Sequence, residues 1–180
     1  MPTVFSHAAI AVAAAVAFAP EDVPRRFWLL SVACSTLPDA DVIGFALGIP
    51  YHHPFGHRGF FHSPFFALLM GTLLTTLFFR DAGVLSRRWL FFLVYFSLLA
   101  ASHGVLDALT NGGLGVALLC PFSERRFFFG WRPIVVSPIG VDAFFSRWGL
   151  AVIRSELLWI WLPSLLMVIL SAAVRRRLSL

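Results

Sequence analysis

The chain has 180 residues, of which 59% are hydrophobic and only 13% are charged. So little polar surface cannot cover a water-soluble globule, and the composition predicts one integral membrane domain over residues 1–180. The formal net charge is +5, with 14 basic residues, all of them arginine, against 9 acids. Because these arginines fall mainly at the ends of apolar runs, they indicate topology and contact with lipid headgroups, and they argue against nucleic-acid binding.

Five apolar runs are candidates for membrane-spanning helices, at residues 4–19, 27–49, 64–79, 89–110 and 157–174. The second run is interrupted at Pro38, which disturbs the helical backbone and would let the carboxylates of Asp39 and Asp41 both turn inward. The segment 111–154 contains only short apolar pieces, so we expect re-entrant or interfacial structure there. The predicted fold is therefore an all-α integral membrane protein with about five transmembrane helices and a long outer loop.

The arginine clusters predict an orientation for these spans. Clusters at 25–26, 80–88 and 175–177 would lie in the cytoplasm according to the positive-inside rule. The loop around residue 60 and the long loop 112–155 would then face the extracytoplasmic side of a bacterial or archaeal cytoplasmic (inner) membrane.

The ionisable side chains of the spans fall at one depth. With a rise of about 1.5 Å per residue, they lie roughly 20–27 Å from the cytoplasmic ends, near the outer face of a core about 30 Å thick. Chance placement would scatter them, and ionisable groups at membrane depth are costly and usually functional. The members of this layer are His7, Asp39, Asp41, His62, His103, Asp107 and Glu156.

The most concentrated polar stretch is 56–64, with the sequence Gly-His-Arg-Gly-Phe-Phe-His-Ser-Pro. Ser63 is predicted to cap the following helix, with Pro64 at its first position. His57 and His62 lie five apart in this glycine-containing loop, which is free to wrap around an ion. We interpret the stretch as one wall of a metal site.

His103 and Asp107 are four residues apart on the fourth span and therefore share one helical face. Imidazoles and carboxylates without thiolates favour Zn²⁺, with Mn²⁺ or Fe²⁺ as alternatives, over a structural zinc of the cysteine type. The donors exceed the needs of one tetrahedral ion, so the sequence allows one or two ions. The predicted ligands are His7, Asp39, Asp41, His57, His62, His103 and Asp107.

These motifs together resemble the YdjM-like family of LexA-regulated, membrane-bound, metal-dependent hydrolases. The resemblance rests on His7, on segments 37–41, 56–63 and 103–110, and on the arginine-bearing segment 121–134. It implies an inner-membrane protein whose matching His and Asp residues bind a divalent metal. A weaker similarity to zinc-dependent phospholipase C implies phosphoester chemistry. The chain departs from the family pattern at Phe61, where threonine is usual, and at 111–113, where proline and glycine are common.

The hypothesis is therefore metal-assisted hydrolysis at the outer membrane–water boundary. A bound metal would lower the pKa of a water molecule toward about 7. Glu156, or whichever of Asp39 and Asp41 stays off the metal, would accept its proton. Arg58 and an arginine of the 125–132 loop would hold the phosphate; the candidates there are Arg126 and Arg132. The expected partners are membrane lipids and a phosphorylated amphipathic substrate.

Alternatives from other classes remain open at this point. A divalent-metal transporter would place ionisable groups through the whole membrane depth, and a non-enzymatic protein with a structural metal would saturate its ligand sphere. Single residues also have structural alternatives: His7 could bond a neighbouring helix, Glu156 could pair with an arginine, and Arg58 could orient His57 or Asp41.

Overall fold

The computed structural model describes residues 1–178, without the side chains of residues 141 and 178. The regular secondary structure in this range is helical. The α-helices are α1 (Val4–Phe18), α2 (Arg25–Thr36), α3 (Ile43–Ala46), α4 (Pro64–Phe78), α5 (Arg87–Ala108), α6 (Val141–Phe144), α7 (Arg147–Glu156) and α8 (Leu162–Leu178).

Three helical stretches are long and apolar enough to cross a membrane, namely Arg25–Ala46, Arg87–Ala108 and Arg147–Arg177. Two shorter apolar helices, α1 and α4, accompany them. These five elements correspond to the five predicted runs, and together they are those of an all-helical membrane protein. The number five as a count of membrane crossings stays a prediction.

The predicted interruption of the second run is a 3₁₀ helix, Leu37–Val42, that joins α2 to α3. Its backbone is tighter than an α-helix, and both Asp39 and Asp41 are buried as a result. The predicted start of α4 is also confirmed. Ser63 is the N-cap, its hydroxyl oxygen accepts a hydrogen bond from the backbone N–H of Phe66 at 3.1 Å, and Pro64 is the first helical residue.

The last helix begins earlier than expected. The sequence places its start near residue 157, but helical structure begins at Arg147 and continues through a π-helical turn, Leu157–Trp161, into α8. Charged residues in α7 lower its mean hydropathy, so α7 does not stand out as an apolar run in the sequence. The helix is nevertheless amphipathic, with Gly149, Val152 and Glu156 on its buried face.

Aromatic side chains fill the core below the polar layer. The Phe27 ring lies 4.8 Å from Tyr95 and 5.7 Å from Phe96, and Phe79 stacks on Phe92 at 4.1 Å between ring centroids. This cluster joins α2, the end of α4, and α5. Aromatic pairs at these separations stabilise the fold beyond the contribution of the apolar area that they bury.

The segment 111–140 is mostly irregular and contains two isolated bridges, Thr110–Ile134 and Val116–Phe127. It lies over the polar stretch 56–64, because the N–H of Ala117 donates to the carbonyl of Arg58 at 2.9 Å. It therefore covers the loop of the predicted site, and, as expected, it adds no further span.

Helices α4 and α5 approach closely at Gly71. A Cβ atom there would lie 2.1 Å from Ser97 Oγ and 2.7 Å from Ser97 N. We expect Gly71→Ala to lower the free energy of unfolding by about 1–3 kcal/mol because α5 must move away. Each kcal/mol lowers the thermal unfolding midpoint by about 2–4 °C, and this decrease is measurable in detergent. Gly130→Ala is the matched control, since its Cβ would meet no atom within 4 Å; equal midpoints for the two variants would contradict the packing.

Candidate metal centre

Four buried side chains from three parts of the chain bring one ligand atom each into a common group. They are Asp39, His62, His103 and Asp107, and their donor atoms all lie within 4.8 Å of one another. Asp39 comes from the 3₁₀ helix after α2, His62 from the turn before α4, and the other two from α5. The convergence expected from the sequence is therefore present.

The spacing within this group suits a tetrahedral cation. His62 Nε2 lies 3.1 Å from His103 Nε2 and 3.3 Å from Asp107 Oδ2. Asp39 Oδ1 lies 3.2 Å from His103 Nε2 and 3.5 Å from His62 Nε2. In a tetrahedral zinc site with bonds of about 2.0–2.1 Å, neighbouring ligand atoms are about 3.3 Å apart. The four distances scatter closely around this value.

A hydrogen bond on the far side of the His103 imidazole directs its lone pair into the group. His103 Nδ1 lies 2.7 Å from the carbonyl oxygen of Ser35. A carbonyl can only accept, so Nδ1 carries the proton, and the Nε2 atom of the neutral ring is left as a ligand. Ser35 was not a sequence candidate, because a backbone carbonyl leaves no signal in residue type.

A second group, Asp41, His57 and His62, shares His62 with the first. Asp41 Oδ1 lies 2.6 Å from His57 Nδ1, and its Oδ2 lies 3.2 Å from His62 Nδ1. The same carboxylate accepts the N–H of Arg58 at 3.2 Å. Carboxylates placed behind metal-binding histidines fix the ring and its tautomer. This geometry favours Asp41 and His57 as supports of His62, although both could also hold a second ion.

The electrostatics of the cluster favour a cation. Burial alone would lower the pKa of His62, but the carboxylates of Asp107, Asp39 and Asp41 raise it well above its ordinary value. Within residues 1–178, both oxygens of Asp107 and Oδ2 of Asp39 are buried and accept no hydrogen bond, although Asp107 forms ion pairs. Buried oxygens of this kind normally require a donor or a metal.

His7 lies at the edge of the group. Its ring stacks on His103 at 3.8 Å between centroids, and its Nε2 is 3.8 Å from Asp107 Oδ1. Neither ring nitrogen has a hydrogen-bond partner within residues 1–178. The structure therefore places His7 beside the centre with a free donor atom, and its role as a ligand stays a prediction.

Gly104 allows the two histidines to meet. A Cβ atom at this position would lie 2.3 Å from the carbonyl oxygen of His62. Only glycine lets the turn before α4 press against α5 at the level of His103. Gly104 thus sets the distance between α5 and the turn that carries His62.

Arg58 is fully buried and has left-handed backbone angles, with φ 61°. Its Nε lies 3.1 Å from Asp107 Oδ2, and its two terminal nitrogens donate to the carbonyl of Gly112 and the hydroxyl of Thr110. The predicted phosphate-binding role would require this guanidinium to leave its partners. Its contacts instead suit it to holding Asp107 and residues 111–140, the covering segment, in place.

The other two predicted arginines differ from each other. Arg126 donates to the carbonyls of Tyr51, His57 and Gly115 at 2.9–3.3 Å, so it fastens the covering segment to residues 51–64, the polar loop. Arg132 is exposed, and its guanidinium lies 4.8 Å from the centre of the Phe128 ring. Of the two, Arg132 is the one with a guanidinium open to an incoming anion.

Glu156 accepts hydrogen bonds from the start of the chain. The backbone N–H and hydroxyl of Thr3 donate to it at 2.5 and 2.6 Å, and the hydroxyl of Ser6 donates at 2.7 Å. Trp161 Nε1 also donates to Ser6 Oγ at 2.9 Å. These contacts clamp α1 to the last helix, and Glu156 is absent from both donor groups found in residues 1–178. Its role as general base stays a prediction that this geometry does not favour.

The fold and the cluster together define a multi-pass membrane protein with a buried His/Asp group that could bind a metal ion. The family model described as "YdjM inner membrane protein" matches residues 1–178. The chain is 42% identical over 171 residues to the Inner membrane protein YbcI of Escherichia coli (strain K12), an alignment that covers 93% of this chain and 95% of the relative. No solved structure matches. The chain thus belongs to the YdjM family, as the sequence motifs predicted, and its relative supports an inner-membrane location.

Asp41→Asn tests whether this carboxylate orients His62. Loss of an outer-sphere carboxylate typically weakens metal binding about 10–100-fold, so we expect a decrease of this size in Zn²⁺ affinity, measured by chelator competition. Asp81→Asn is the control, because the Asp81 side chain is 89% exposed. Unchanged affinity in Asp41→Asn would contradict the orienting role, whereas complete loss of metal would make Asp41 a direct ligand.

Glu156→Gln separates a structural clamp from a general base. An amide nitrogen would face a donor of Thr3 or Ser6, at a cost of about 1–3 kcal/mol. We expect a lower thermal unfolding midpoint and an unchanged metal content. The exposed Glu124→Gln variant should alter neither quantity. An unchanged midpoint would argue against the clamp and return Glu156 to the list of candidate bases.

Proposed function

We propose that this protein is a membrane-bound, metal-dependent hydrolase that cleaves a phosphoester of a lipid or another amphipathic molecule at the outer membrane boundary. The observation that carries the proposal is the buried group of four donor atoms, four of whose six separations are 3.1–3.5 Å, as expected for neighbouring ligands of one ion. Two imidazoles and two carboxylates form a set suited to Zn²⁺, with Mn²⁺ or Fe²⁺ as alternatives.

The charges of the buried cluster support a bound cation. Asp39, Asp41 and Asp107 are buried, and Arg58 is the guanidinium that contacts one of them, Asp107. With the imidazoles neutral, as metal ligation requires, three carboxylates face the Arg58 guanidinium and the terminal ammonium of Met1, which lies 4.0 Å from Asp107 Oδ1, and one negative charge is left uncompensated. Buried charges of one sign are costly in a medium of low dielectric constant. A bound cation would supply the positive charge that the cluster lacks.

A divalent ion at this position would supply Lewis acidity and a water molecule of lowered pKa. The residues of the chain supply position and proton transfer. Asp41 and the carbonyl of Ser35 hold the rings of His62 and His103. Asp39 is the most exposed member of the four-residue group, at 8%, and its Oδ2 is unpartnered in the described chain. These features support Asp39 as the residue that would accept a proton through Oδ2, while its Oδ1 belongs to the donor group.

The phosphate would be held by exposed cations at the outer edge. Arg132 fits this role better than Arg58 or Arg126, because internal carbonyl and carboxylate oxygens already occupy the latter two guanidinium groups. Guanidinium groups bind phosphate oxygens through paired N–H donors. A site at the end of apolar helices favours a substrate that is itself anchored in the membrane, with the reaction on the extracytoplasmic side.

Asp107→Asn should remove metal and phosphoesterase activity together, by at least about 100-fold in turnover, while the protein stays monodisperse in detergent. His103→Ala is a second variant that leaves the Asp107–Arg58 pair intact. Metal content is measured on purified protein, and turnover is measured on a panel of phosphorylated lipids with and without chelator. The exposed Asp81→Asn variant is the control. Turnover that persists in a metal-free variant would refute the proposal.

A structural metal in a non-enzymatic membrane protein is the second candidate. The observation that favours it is the burial of the four donors, none of which is more than 8% exposed. A saturated tetrahedral site has no position for water. Substitution with Co²⁺ distinguishes the two: an absorption spectrum that changes on addition of phosphate or fluoride indicates an open position and supports the hydrolase, and an invariant spectrum supports the structural role.

A further inference from the structure

An apolar groove of about 590 Å³ runs along the membrane-facing surface between α1, α5 and α8. Ile10 and Ala14 of α1 form one wall, Val94 and Leu98 of α5 form the other, and Met167 of α8 closes one side. Val94 and Leu98 are 52% and 66% exposed, so the groove is open toward the surrounding hydrocarbon. Its volume lies within the range of ligand pockets in proteins.

The groove is aligned with the metal centre. Ile10 and Ala14 follow His7 by three and seven residues, so they lie below it on the same face of α1. On α5 the groove ends at Ser102, directly before His103. Because the rings of His7 and His103 stack on each other, the upper ends of both walls lie near the level of these two histidines.

The length of the groove matches one lipid chain. Its α5 wall extends from Leu90 to Ser102, which corresponds to about 18 Å of helix. One leaflet occupies about half of a hydrocarbon core of about 30 Å. A chain with its polar end beside His103 would therefore run down the groove past the midplane and end near Leu90, close to the opposite face of the hydrocarbon core.

The walls offer no site for a polar group. The two hydroxyls that border the groove have other partners, since Tyr95 Oη lies 2.9 Å from Ser31 Oγ and Ser102 Oγ donates to the carbonyl of Leu99 at 2.7 Å. Hydrocarbon is thus the chemistry that fits these walls, and the Ser102 end of the groove is the end next to the candidate ligands. We infer that this groove binds one acyl or isoprenoid chain of the substrate and places its phosphoester at the metal centre; the inference rests on the proposed hydrolase function.

Ala14→Phe tests the inference, because a phenyl ring would fill the middle of the groove two helical turns from His7. The probe is a phosphatidylglycerol with a photoreactive diazirine in one acyl chain, incorporated in nanodiscs with the purified protein. We expect the wild-type label to concentrate in α5 between residues 90 and 102, and to fall about ten-fold or more in Ala14→Phe. Metal content should stay unchanged. Ala173→Phe, at an exposed position of α8 outside the groove, is the matched control.

A second blocking variant with its own control tests the inference independently, in case Ala14→Phe does not fold. Val94→Trp blocks the groove from α5, and Val12→Trp adds the same ring at a similarly exposed position of α1 outside it. Equal labelling of all lipid-facing helices, or equal labelling in blocked and control variants, would overturn the inference. So would a cross-link between two copies of the chain through the groove. Because labelling needs no turnover, specific labelling without phosphoesterase activity would refute the proposed function and keep a lipid-chain site.

Discussion

Carboxylates buried at membrane depth require compensation, because an unpaired charge in hydrocarbon is far more costly than in water. Asp39 faces a histidine of α5, Asp41 faces histidines of the polar loop, and Asp107 faces both a histidine and Arg58. The 3₁₀ interruption at Leu37–Val42 brings two of these acids inward. The approach of the helices at the polar end thus follows from the need to supply nitrogens, or a metal, to these oxygens.

Much of the centre could be predicted from the sequence, because its histidines and aspartates are recognisable from their residue type and their position within apolar runs. A histidine or aspartate inside an apolar run is expensive, so its depth along the helix is informative. The four-residue spacing of His103 and Asp107, and the cap formed by Ser63 before Pro64, depend only on local geometry and are confirmed. The helix break at Pro38 is equally local.

Other features depend on tertiary contacts that residue types do not reveal. Sequence reasoning placed Arg58 toward the substrate, yet its guanidinium is enclosed by Asp107, Thr110 and Gly112. It also predicted Glu156 as a general base, although this carboxylate accepts hydrogen bonds from Thr3 and Ser6 near the start of the chain. An arginine that reaches carbonyls and one that faces solvent look alike in sequence, because only packing decides which acceptors are near.

The position of Arg126 has a consequence for how molecules reach the centre. Its guanidinium joins carbonyl oxygens on both sides of the seam between the covering segment and the polar loop, and Arg58 adds a tie to Gly112. A solute approaching from bulk water would have to part this seam and strand several carbonyls without donors, each at a cost of about 1–3 kcal/mol. A molecule diffusing sideways out of the bilayer would leave every one of these ties intact.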